Sequence, residues 1–326
     1  MPHHMKPKIA LSLGSGSARG WAHIGIIKRL LELGIKPDIV TGSSVGALVG
    51  GAYACGNLEK LEKWVTTLGR FDILRLLDPR LSGGGFMTGN SLMSAIAEHV
   101  ADVAIEDLPV PFACVATDLN TGLEVWLNDG SVLEAIRASI ALPGLFTPVH
   151  YEGRWLTDGG LVNPVPVSLA RAMGADIIIA VNLNGELVGR SLRPREPIAP
   201  VSEPMPEPEP VTPELGGDDS TLGRLRAKLG TGKASFDNFI TNLRKDTGPV
   251  PPGLFDVLAA SINIMQDRIT RSRMAGDPPD IVISPRLSQI RLMEFDRARE
   301  AIDEGVAAVD RRRDELNVIL EPHGHS

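Results

Sequence analysis

Aromatic residues are scarce in this chain. Phe, Trp and Tyr make up 4% of its 326 residues, whereas hydrophobic residues as a whole make up 43%. The chain is therefore apolar enough to bury a sizeable core, but that core must be built mainly from Ala, Val, Ile and Leu. Such a composition favours a buried parallel sheet that is covered by helices.

Basic residues are not in excess either. The chain has 33 Lys and Arg against 40 Asp and Glu, which gives a formal net charge of −7 and a pI of about 5.6. Proteins that bind nucleic acid need a basic surface, so no nucleic-acid partner is expected. Net charge also predicts no long-range attraction to anionic membranes, for which a local basic patch would be needed.

Cysteines and long apolar runs are also few. Cys55 and Cys114 both lie in apolar surroundings, which indicates buried thiols in a reducing compartment and not a disulfide framework. No stretch reaches the ~18 apolar residues of a membrane span, and residues 9–13 are too short a run for a secretory signal. The sequence predicts a cytoplasmic protein whose membrane contact is peripheral, at the inner face of the membrane.

Strand and helix signals alternate along the chain. Short β runs that end in glycine-rich turns are followed by segments with apolar residues at helical spacing. This order is typical of a parallel sheet. The predicted strands span residues 8–13, 38–41, 112–117, 177–181 and 281–283. The predicted helices span residues 21–33, 45–55, 90–101, 131–140, 165–173, 255–274 and 295–319.

Residues 186–250 interrupt this order. Residues 193–219 are rich in Pro and Glu, which predicts an extended, mobile insertion. Residues 221–245 combine apolar stripes with basic residues. This pattern indicates an amphipathic helix that lies on a membrane or covers an active site, or one that packs on its own domain. Because a predicted strand follows at 281–283, we expect one domain over residues 1–326, interrupted at about 186–250.

Residues 42–46, Gly-Ser-Ser-Val-Gly, fit the pattern G-x-S-x-G. The two glycines permit the tight turn that lifts a serine hydroxyl above a sheet and onto a helix N-terminus. There, the helix dipole and free backbone N–H groups favour developing negative charge. A predicted strand precedes the pattern and a helix of small residues follows it. Ser44 is therefore predicted to be a nucleophile, the alternative being a structural turn.

Residues 14–20, Gly-Ser-Gly-Ser-Ala-Arg-Gly, form a glycine-rich turn after the first predicted strand. A dinucleotide-binding loop would need a glycine where Arg19 stands and an acidic residue after the next strand, and a P-loop would need Gly-Lys-Ser/Thr. An oxyanion hole fits better. Small residues allow the backbone N–H groups of Gly16, Ser17 and Ala18 to approach a tetrahedral intermediate closely.

A serine nucleophile needs a base. Four of the seven histidines lie on the termini, and only His323 and His325 follow an acid in the order of an α/β-hydrolase triad. A triad with one of them is an alternative, although a terminal tail is a poor scaffold for catalysis. Asp158, followed by two glycines, is the preferred base, since desolvation would raise its pKa. The structural alternative is that Asp158 caps the turn before Asn163.

Three motifs in this order resemble those of the patatin-like phospholipase family, in particular its small bacterial members. The family has a G-G-G-x-R-G loop, a G-x-S-x-G elbow and a D-G-G or D-G-A aspartate, which correspond here to residues 15–20, 42–46 and 158–160. Further similar stretches are residues 19–25, 116–120 and 137–144. Ser15 and Ser17 replace glycines of the loop, a change that keeps the backbone N–H donors.

This resemblance implies a three-layer α/β/α sandwich with a mainly parallel central sheet. It implies hydrolysis of a fatty-acyl ester of a lipid, such as a phospholipid or lysophospholipid, or of an acyl thioester, through an acyl-enzyme on Ser44 with Asp158 as base. It assigns the oxyanion hole to Gly16, Ser17, Ala18, Arg19 and Gly20. No metal or other cofactor is expected. The alternative is a catalytically weak lipid-binding adaptor on the same fold, and the oligomeric state stays open.

Two further predictions concern the surroundings of this site. Arg19 is expected to set the loop by reaching nearby carbonyl groups, the alternative being a solvated charge. The apolar residues 71–77 and 86–87 are expected either to line or cover an acyl channel or to be ordinary packing.

Overall fold

A computed structural model describes residues 6–76, 85–185 and 254–320 of the chain. In these ranges the protein has a mixed α/β fold with a central sheet and flanking helices. None of the helices in these ranges is both long enough and apolar enough to cross a bilayer.

The chain divides into two units, Met1–Leu192 with Leu258–Ser326 and Arg193–Val257. Nearly all of the described residues belong to the first unit. The Pro/Glu-rich insertion and the basic segment 221–245 lie outside the described residues. The predictions for these segments, and the prediction of one interrupted domain, therefore stay predictions.

The strands of the described residues are β1 (Ile9–Leu13), β2 (Ile39–Ser43), β3 (Gly85–Met87), β4 (Phe112–Asp118), β5 (Glu124–Leu127), β6 (Gly144–Phe146), β7 (Val149–Tyr151), β8 (Arg154–Asp158), β9 (Ile177–Val181) and β10 (Ile281–Ile283). In the main sheet, β10, β9, β1, β2 and β4 are neighbours in that order and run parallel. β5 and β8 pair antiparallel with β4, and β7 pairs antiparallel with β8. β3 and β6 form a separate parallel pair.

The helices are α1 (Ala22–Glu32), α2 (Val45–Ala54), α3 (Leu58–Val65), α4 (Arg70–Leu76), α5 (Asn90–Ala97), α6 (Val132–Ser139), α7 (Val167–Ala172), α8 (Leu254–Gly276), α9 (Ala298–Asp310) and α10 (Arg313–Leu320). Short 3-10 helices span Ser17–Trp21, Ile105–Asp107, Gly159–Leu161 and Phe295–Arg297. All five predicted strands are confirmed to within two residues at their ends. The antiparallel strands were not predicted, because they are short and partly polar.

Helices cover both faces of the sheet. Successive side chains of a strand point to opposite faces, and all five residues of β1 are buried, four of them apolar. Leu11 and Leu13 pack in the large core that contains residues of α1 and α2. Ala10 packs on the other face with Val167 and Ala170 of α7. The predicted three-layer α/β/α sandwich with a mainly parallel central sheet is confirmed.

One edge of β4 is shared by β2 and β8. Val115 of β4 pairs with Ser43, the last residue of β2, and the next residue, Ala116, pairs with Asp158, the last residue of β8. Because β2 runs parallel and β8 antiparallel to β4, the two strands meet end to end. The residues at which they end, Ser43 and Asp158, therefore lie next to each other.

The prediction of one helix over residues 295–319 is wrong. The segment contains a 3-10 turn, then α9, then α10, with a break at Arg311 and Arg312. No glycine or proline marks this break in the sequence. α9 packs against α1, and after the break Leu316 of α10 is fully buried. Burial of apolar side chains on two different faces explains why the chain turns there.

Candidate active site

Ser44 stands on a strained turn between β2 and α2. Its φ is 56° and its ψ is −125°, a conformation that a residue with a side chain rarely adopts. Both glycines of the pattern are needed for close approach. A Cβ on Gly42 would lie 2.5 Å from the carbonyl oxygen of Gly46, and a Cβ on Gly46 would lie 2.1 Å from that of Leu13. The turn places Ser44 directly before the N-terminus of α2.

The structure brings Ser44 and Asp158 together. The Ser44 hydroxyl donates a hydrogen bond of 2.6 Å to Oδ2 of Asp158, and the backbone N–H of Gly160 donates one of 2.7 Å to Oδ1. Asp158 is fully buried. Burial raises the pKa of Asp158 from 3.8 to about 6, although the hydrogen bonds from Ser44 and Gly160 lower it in part. A carboxylate with this pKa is ionised at neutral pH and accepts a proton more readily than an ordinary aspartate does.

The two glycines after Asp158 are explained by contacts. A Cβ on Gly159 would lie 2.1 Å from the carbonyl oxygen of Val115 in β4, and a Cβ on Gly160 would lie 2.4 Å from Nε2 of Gln266. Asp158 also acts as the cap of the 3-10 helix that follows it. The bond to Ser44 and the cap therefore coexist, since each uses a different carboxylate oxygen.

The glycine-rich loop lies beside Ser44. Ser17 has a φ of 52°, and Gly16 and Ser17 line a pocket together with Ser44. The N–H of Ala18 donates to the carbonyl of Leu292 at 3.1 Å, and that of Arg19 donates to the carbonyl of Gly16 at 3.2 Å. The N–H groups of Gly16 and Ser17 donate to no carbonyl within the described residues. Of the three N–H groups that the sequence predicts as oxyanion donors, only that of Ala18 therefore has a backbone carbonyl partner in the described residues.

Arg19 and Gly20 connect the glycine-rich loop to neighbouring helices. The guanidinium of Arg19 donates from Nε to the carbonyl of Gly16 at 3.3 Å and from Nη2 to Oδ1 of Asn263 at 2.8 Å. Burial lowers the pKa of Arg19 to about 10. Arg19 is therefore a buried residue that links the loop to α8 by hydrogen bonds, and not a solvated charge. A Cβ on Gly20 would lie 2.2 Å from Cγ1 of Val45, so Gly20 allows the loop to contact α2.

Sequence reasoning missed the polar residues that hold these elements. Gln266 of α8 accepts hydrogen bonds from the Ser15 hydroxyl at 3.0 Å and from the Asn184 side chain at 3.1 Å. Asn263 accepts the hydrogen bond from Arg19. Ser139 bonds to the backbone of Ser44. Of these residues, only Ser139 lies in a stretch that the sequence analysis identified as similar to the family, residues 137–144. Asn263 and Gln266 follow the insertion and belong to no motif.

A mostly apolar pocket of about 100 Å³ opens beside Ser44. Its walls include Leu48, Trp64, Ile73, Leu76, Leu145 and Phe146. Ile73 and Leu76, which belong to the segment 71–77, therefore line a pocket, whereas its use as an acyl channel stays a prediction. Phe71, on the same helix, is instead 81% exposed. The side chains of residues 86 and 87 lie outside the described part of the chain.

The described histidines occupy other places. His23 is fully buried, its Nε2 donates to the carbonyl of Gly14 at 2.8 Å, and burial lowers its pKa to about 4. It is therefore a neutral structural residue below the loop. His99 stacks on Trp64 and His150 contacts Trp155. His323 and His325 lie outside the described residues. In the described part of the chain, no group of three or more His, Cys, Asp or Glu side chains is arranged to hold a metal ion.

The chain is similar in sequence to several known proteins. The family model described as patatin-like phospholipase matches residues 11–171. An NTE family protein of Mycobacterium tuberculosis is 37% identical over 324 residues, which cover 92% of this chain and 90% of that protein. The lysophospholipase nte1 of Emericella nidulans is 36% identical over 183 residues, 54% of this chain and 12% of that protein.

A further relative is the human patatin-like phospholipase domain-containing protein 6. It is 34% identical over 186 residues, which cover 55% of this chain and 13% of the human protein. The match to the mycobacterial protein spans nearly the whole of both chains, whereas the other two relatives are much longer and share only this region. The chain belongs to the patatin-like phospholipase family, a family of lipid acyl hydrolases.

Proposed function

We propose that the protein hydrolyses fatty-acyl esters of lipids through an acyl-enzyme on Ser44, with Asp158 as the base. The observation that carries this proposal is the 2.6 Å hydrogen bond from Ser44, which lines an apolar pocket, to a fully buried carboxylate. A buried carboxylate next to a serine on a strained turn is the arrangement that a nucleophile and its base require.

In the first step, the ionised carboxylate of Asp158 accepts the Ser44 proton while Ser44 Oγ attacks the acyl carbonyl carbon. The carbonyl oxygen becomes an oxyanion, to which the N–H groups of Gly16 and Ser17 would donate. The tetrahedral intermediate then collapses, the ester C–O bond breaks, and the departing alcohol takes the proton from Asp158. The acyl group is left as an ester on Ser44.

In the second step, Asp158 accepts a proton from a water molecule that attacks the acyl-enzyme. Collapse of the second intermediate breaks the bond to Ser44, which recovers its proton from Asp158, and the fatty acid leaves. The pKa of about 6 suits this alternation. The carboxylate is mostly ionised at pH 7, yet it is basic enough to share a proton with a hydroxyl.

The pocket supports an acyl chain as the substrate group. Its walls are mostly hydrocarbon, and the polar side chains among the lining residues include those of Ser44, Asn263 and Gln266. An apolar pocket with a few convergent polar groups favours a ligand with a long apolar part and one reactive polar group. A phospholipid or a lysophospholipid has this form, and an acyl thioester is a second substrate class for the same two steps.

Contact with a lipid surface is part of the proposal. Phe71 and Leu74 of α4 are 81% and 62% exposed, although Ile73 of the same helix lines the pocket. The other exposed residues of α4 are the charged Arg70, Asp72 and Arg75. Two large apolar side chains exposed among charged ones, next to an apolar pocket, favour contact with the apolar part of a lipid surface. We expect α4 to enter the surface of a membrane from the cytoplasmic side, so that an acyl chain passes directly into the pocket.

The cytoplasmic location in this proposal is supported by the cysteines. Cys55 and Cys114 are both free thiols, as expected in a reducing compartment. The basic segment 221–245, which suggested membrane contact from the sequence, lies outside the described residues and stays a prediction.

The test is hydrolysis of a p-nitrophenyl acyl ester series by the wild type, Ser44→Ala and Asp158→Asn. Both variants should lose at least ~10³-fold in kcat while remaining folded. Ser43→Ala is the matched control for Ser44→Ala, because it removes a neighbouring buried hydroxyl that has no hydrogen-bond partner among the described residues. Asp118→Asn, on β4, is the matched control for Asp158→Asn. Activity that survives in either dyad variant would contradict the assigned roles.

The adaptor alternative is separated by covalent labelling. A fluorophosphonate should label Ser44 in the wild type and in Ser43→Ala, and no label should appear in Ser44→Ala. A wild-type protein that binds lipid but neither hydrolyses the esters nor takes up the label would favour a catalytically weak lipid-binding protein.

Membrane contact has its own test. Phe71→Ser combined with Leu74→Ser should reduce binding to phospholipid vesicles at least ~10-fold, while the hydrolysis of a soluble short-chain ester stays within about twofold of wild type. Leu123→Ser is the control, since Leu123 is 65% exposed and does not line the pocket. Equal loss of vesicle binding in the control would show that α4 is not the contact surface.

A further inference from the structure

The C-terminus of α6 contacts the backbone of Ser44. Ser139, the last residue of α6, is fully buried. Its Oγ accepts a hydrogen bond of 2.9 Å from the backbone N–H of Ser44 and donates one of 2.7 Å to the carbonyl of Val115 in β4. One hydroxyl therefore ties the strained turn to the strand that pairs with both β2 and β8.

The same segment holds the backbone of Asp158. Two residues after Ser139, the carbonyl of Ala141 accepts a hydrogen bond of 3.0 Å from the backbone N–H of Asp158. It also accepts one of 2.7 Å from the hydroxyl of Thr157. Residues 139–141 thus contact the main chain of both Ser44 and Asp158, although neither contact involves a reacting atom.

This arrangement bears on the distance between the two reacting groups. Ser44 has a positive φ of 56°, a conformation that persists only when the surroundings hold it. Loss of its backbone anchor would let the turn relax and move Oγ away from Asp158. Because a misplacement of about 1 Å can cost about 10²-fold in rate, the anchor should influence turnover more than binding.

We propose that Ser139 is a positioning residue for acyl transfer, which holds the Ser44 backbone so that Oγ meets the Asp158 carboxylate. This inference rests on the proposed function, since it concerns the same dyad. It adds a consequence for the oxyanion hole. The N–H of Ser44 donates to Ser139, so it does not donate to the oxyanion.

The test measures kcat and KM separately for Ser139→Ala with a soluble p-nitrophenyl ester. We expect kcat to fall about 30-fold, equivalent to about 2 kcal/mol at 1.36 kcal/mol for each factor of ten, with KM changed by less than about twofold. The rate of fluorophosphonate labelling of Ser44 should fall in parallel. These readouts separate positioning from a loss of folded protein, which would lower the amplitude of labelling and not its rate.

Ser131→Ala is the matched control. Ser131 caps the N-terminus of the same helix by accepting a hydrogen bond from the Glu134 N–H, so its loss destabilises α6 without contact to Ser44. It should keep the wild-type kcat. If Ser139→Ala does not fold, Ser139→Thr and Ser139→Val serve instead. They have nearly the same shape, and only Thr keeps the hydroxyl.

Because it keeps the hydroxyl, Ser139→Thr should have a kcat at least about tenfold higher than that of Ser139→Val. Equal kcat in Thr and Val, or wild-type kcat in Ser139→Ala, would overturn the inference and leave the proposed function standing. Equal losses in Ser131→Ala and Ser139→Ala would also overturn it. A wild-type protein that neither cleaves the ester nor reacts with the fluorophosphonate would overturn the proposed function, and this inference with it.

Discussion

Replacement of Asp158 by Asn should abolish activity and at the same time stabilise the folded protein above pH 6. The carboxylate is fully buried, and burial raises its pKa from 3.8 to about 6. An asparagine has almost the same shape. Its Oδ1 can accept the hydrogen bond from the Gly160 N–H, and its Nδ2 can donate to the hydroxyl of Ser44. The substitution therefore removes a buried charge without removing the hydrogen bonds.

The sign and size of this change in stability follow from proton linkage. The folded state of the wild type holds the Asp158 proton more tightly than the unfolded state does, because the folded pKa is the higher one. The stability associated with this proton is fully present below about pH 4 and is lost as the pH rises through about 6. With the pKa raised from 3.8 to about 6, ionisation costs about 3 kcal/mol at pH 8 and less than about 1 kcal/mol at pH 4.

The assay is urea unfolding of wild type and Asp158→Asn at pH 4 and pH 8. We expect the variant to be more stable by about 3 kcal/mol at pH 8, with a difference below about 1 kcal/mol at pH 4. Ser44→Ala is the control, since it is equally inactive but keeps the carboxylate, and it should gain no stability at pH 8. Equal stability of Asp158→Asn and wild type at pH 8, or a difference independent of pH, would refute the reasoning.

Three further predictions follow from the same site. The kcat/KM of the wild type should fall tenfold for each pH unit below about 6, as Asp158 becomes protonated, and a pH–rate profile flat to pH 5 would contradict its role. Gly159→Ala places a Cβ 2.1 Å from a backbone carbonyl oxygen. Its free energy of unfolding in urea should therefore be lower than that of wild type by at least ~2 kcal/mol. The control Gly276→Ala, with no atom within 4 Å of its Cβ, should have nearly the wild-type free energy of unfolding. Arg19→Lys and Asn263→Ala should each lower kcat about tenfold. The double variant should lose no more than about as much as Arg19→Lys alone, because Arg19→Lys already removes the hydrogen bond to Asn263.

The local chemistry of the site could be predicted from the sequence. Residues 42–46 predict the strained turn because only glycines fit at both ends of it, and the structure shows those close approaches at Gly42 and Gly46. The apolar β runs and the helical spacing between them predict the parallel strands and most helices, since these patterns reflect burial on two faces or on one. Asp158 drew attention because two glycines follow it.

The tertiary structure alone decides how distant segments meet. β8 lies against β4 where β2 ends, which brings Asp158 to Ser44 across 114 residues of sequence. No periodicity in the sequence encodes that pairing, since β8 is a short strand with two exposed side chains. Strand pairing of this kind is set by which edges remain free once the core has packed.

The support of the glycine-rich loop is equally non-local. Asn263 and Gln266 of α8 bond to Arg19 and Ser15 over more than 240 residues of sequence. On α4, the sequence shows apolar residues, but only the packing decides that Ile73 lines the pocket and Phe71 is exposed. Local sequence determines which conformations a segment favours, whereas the contacts between segments depend on the burial and hydrogen bonding of the whole fold.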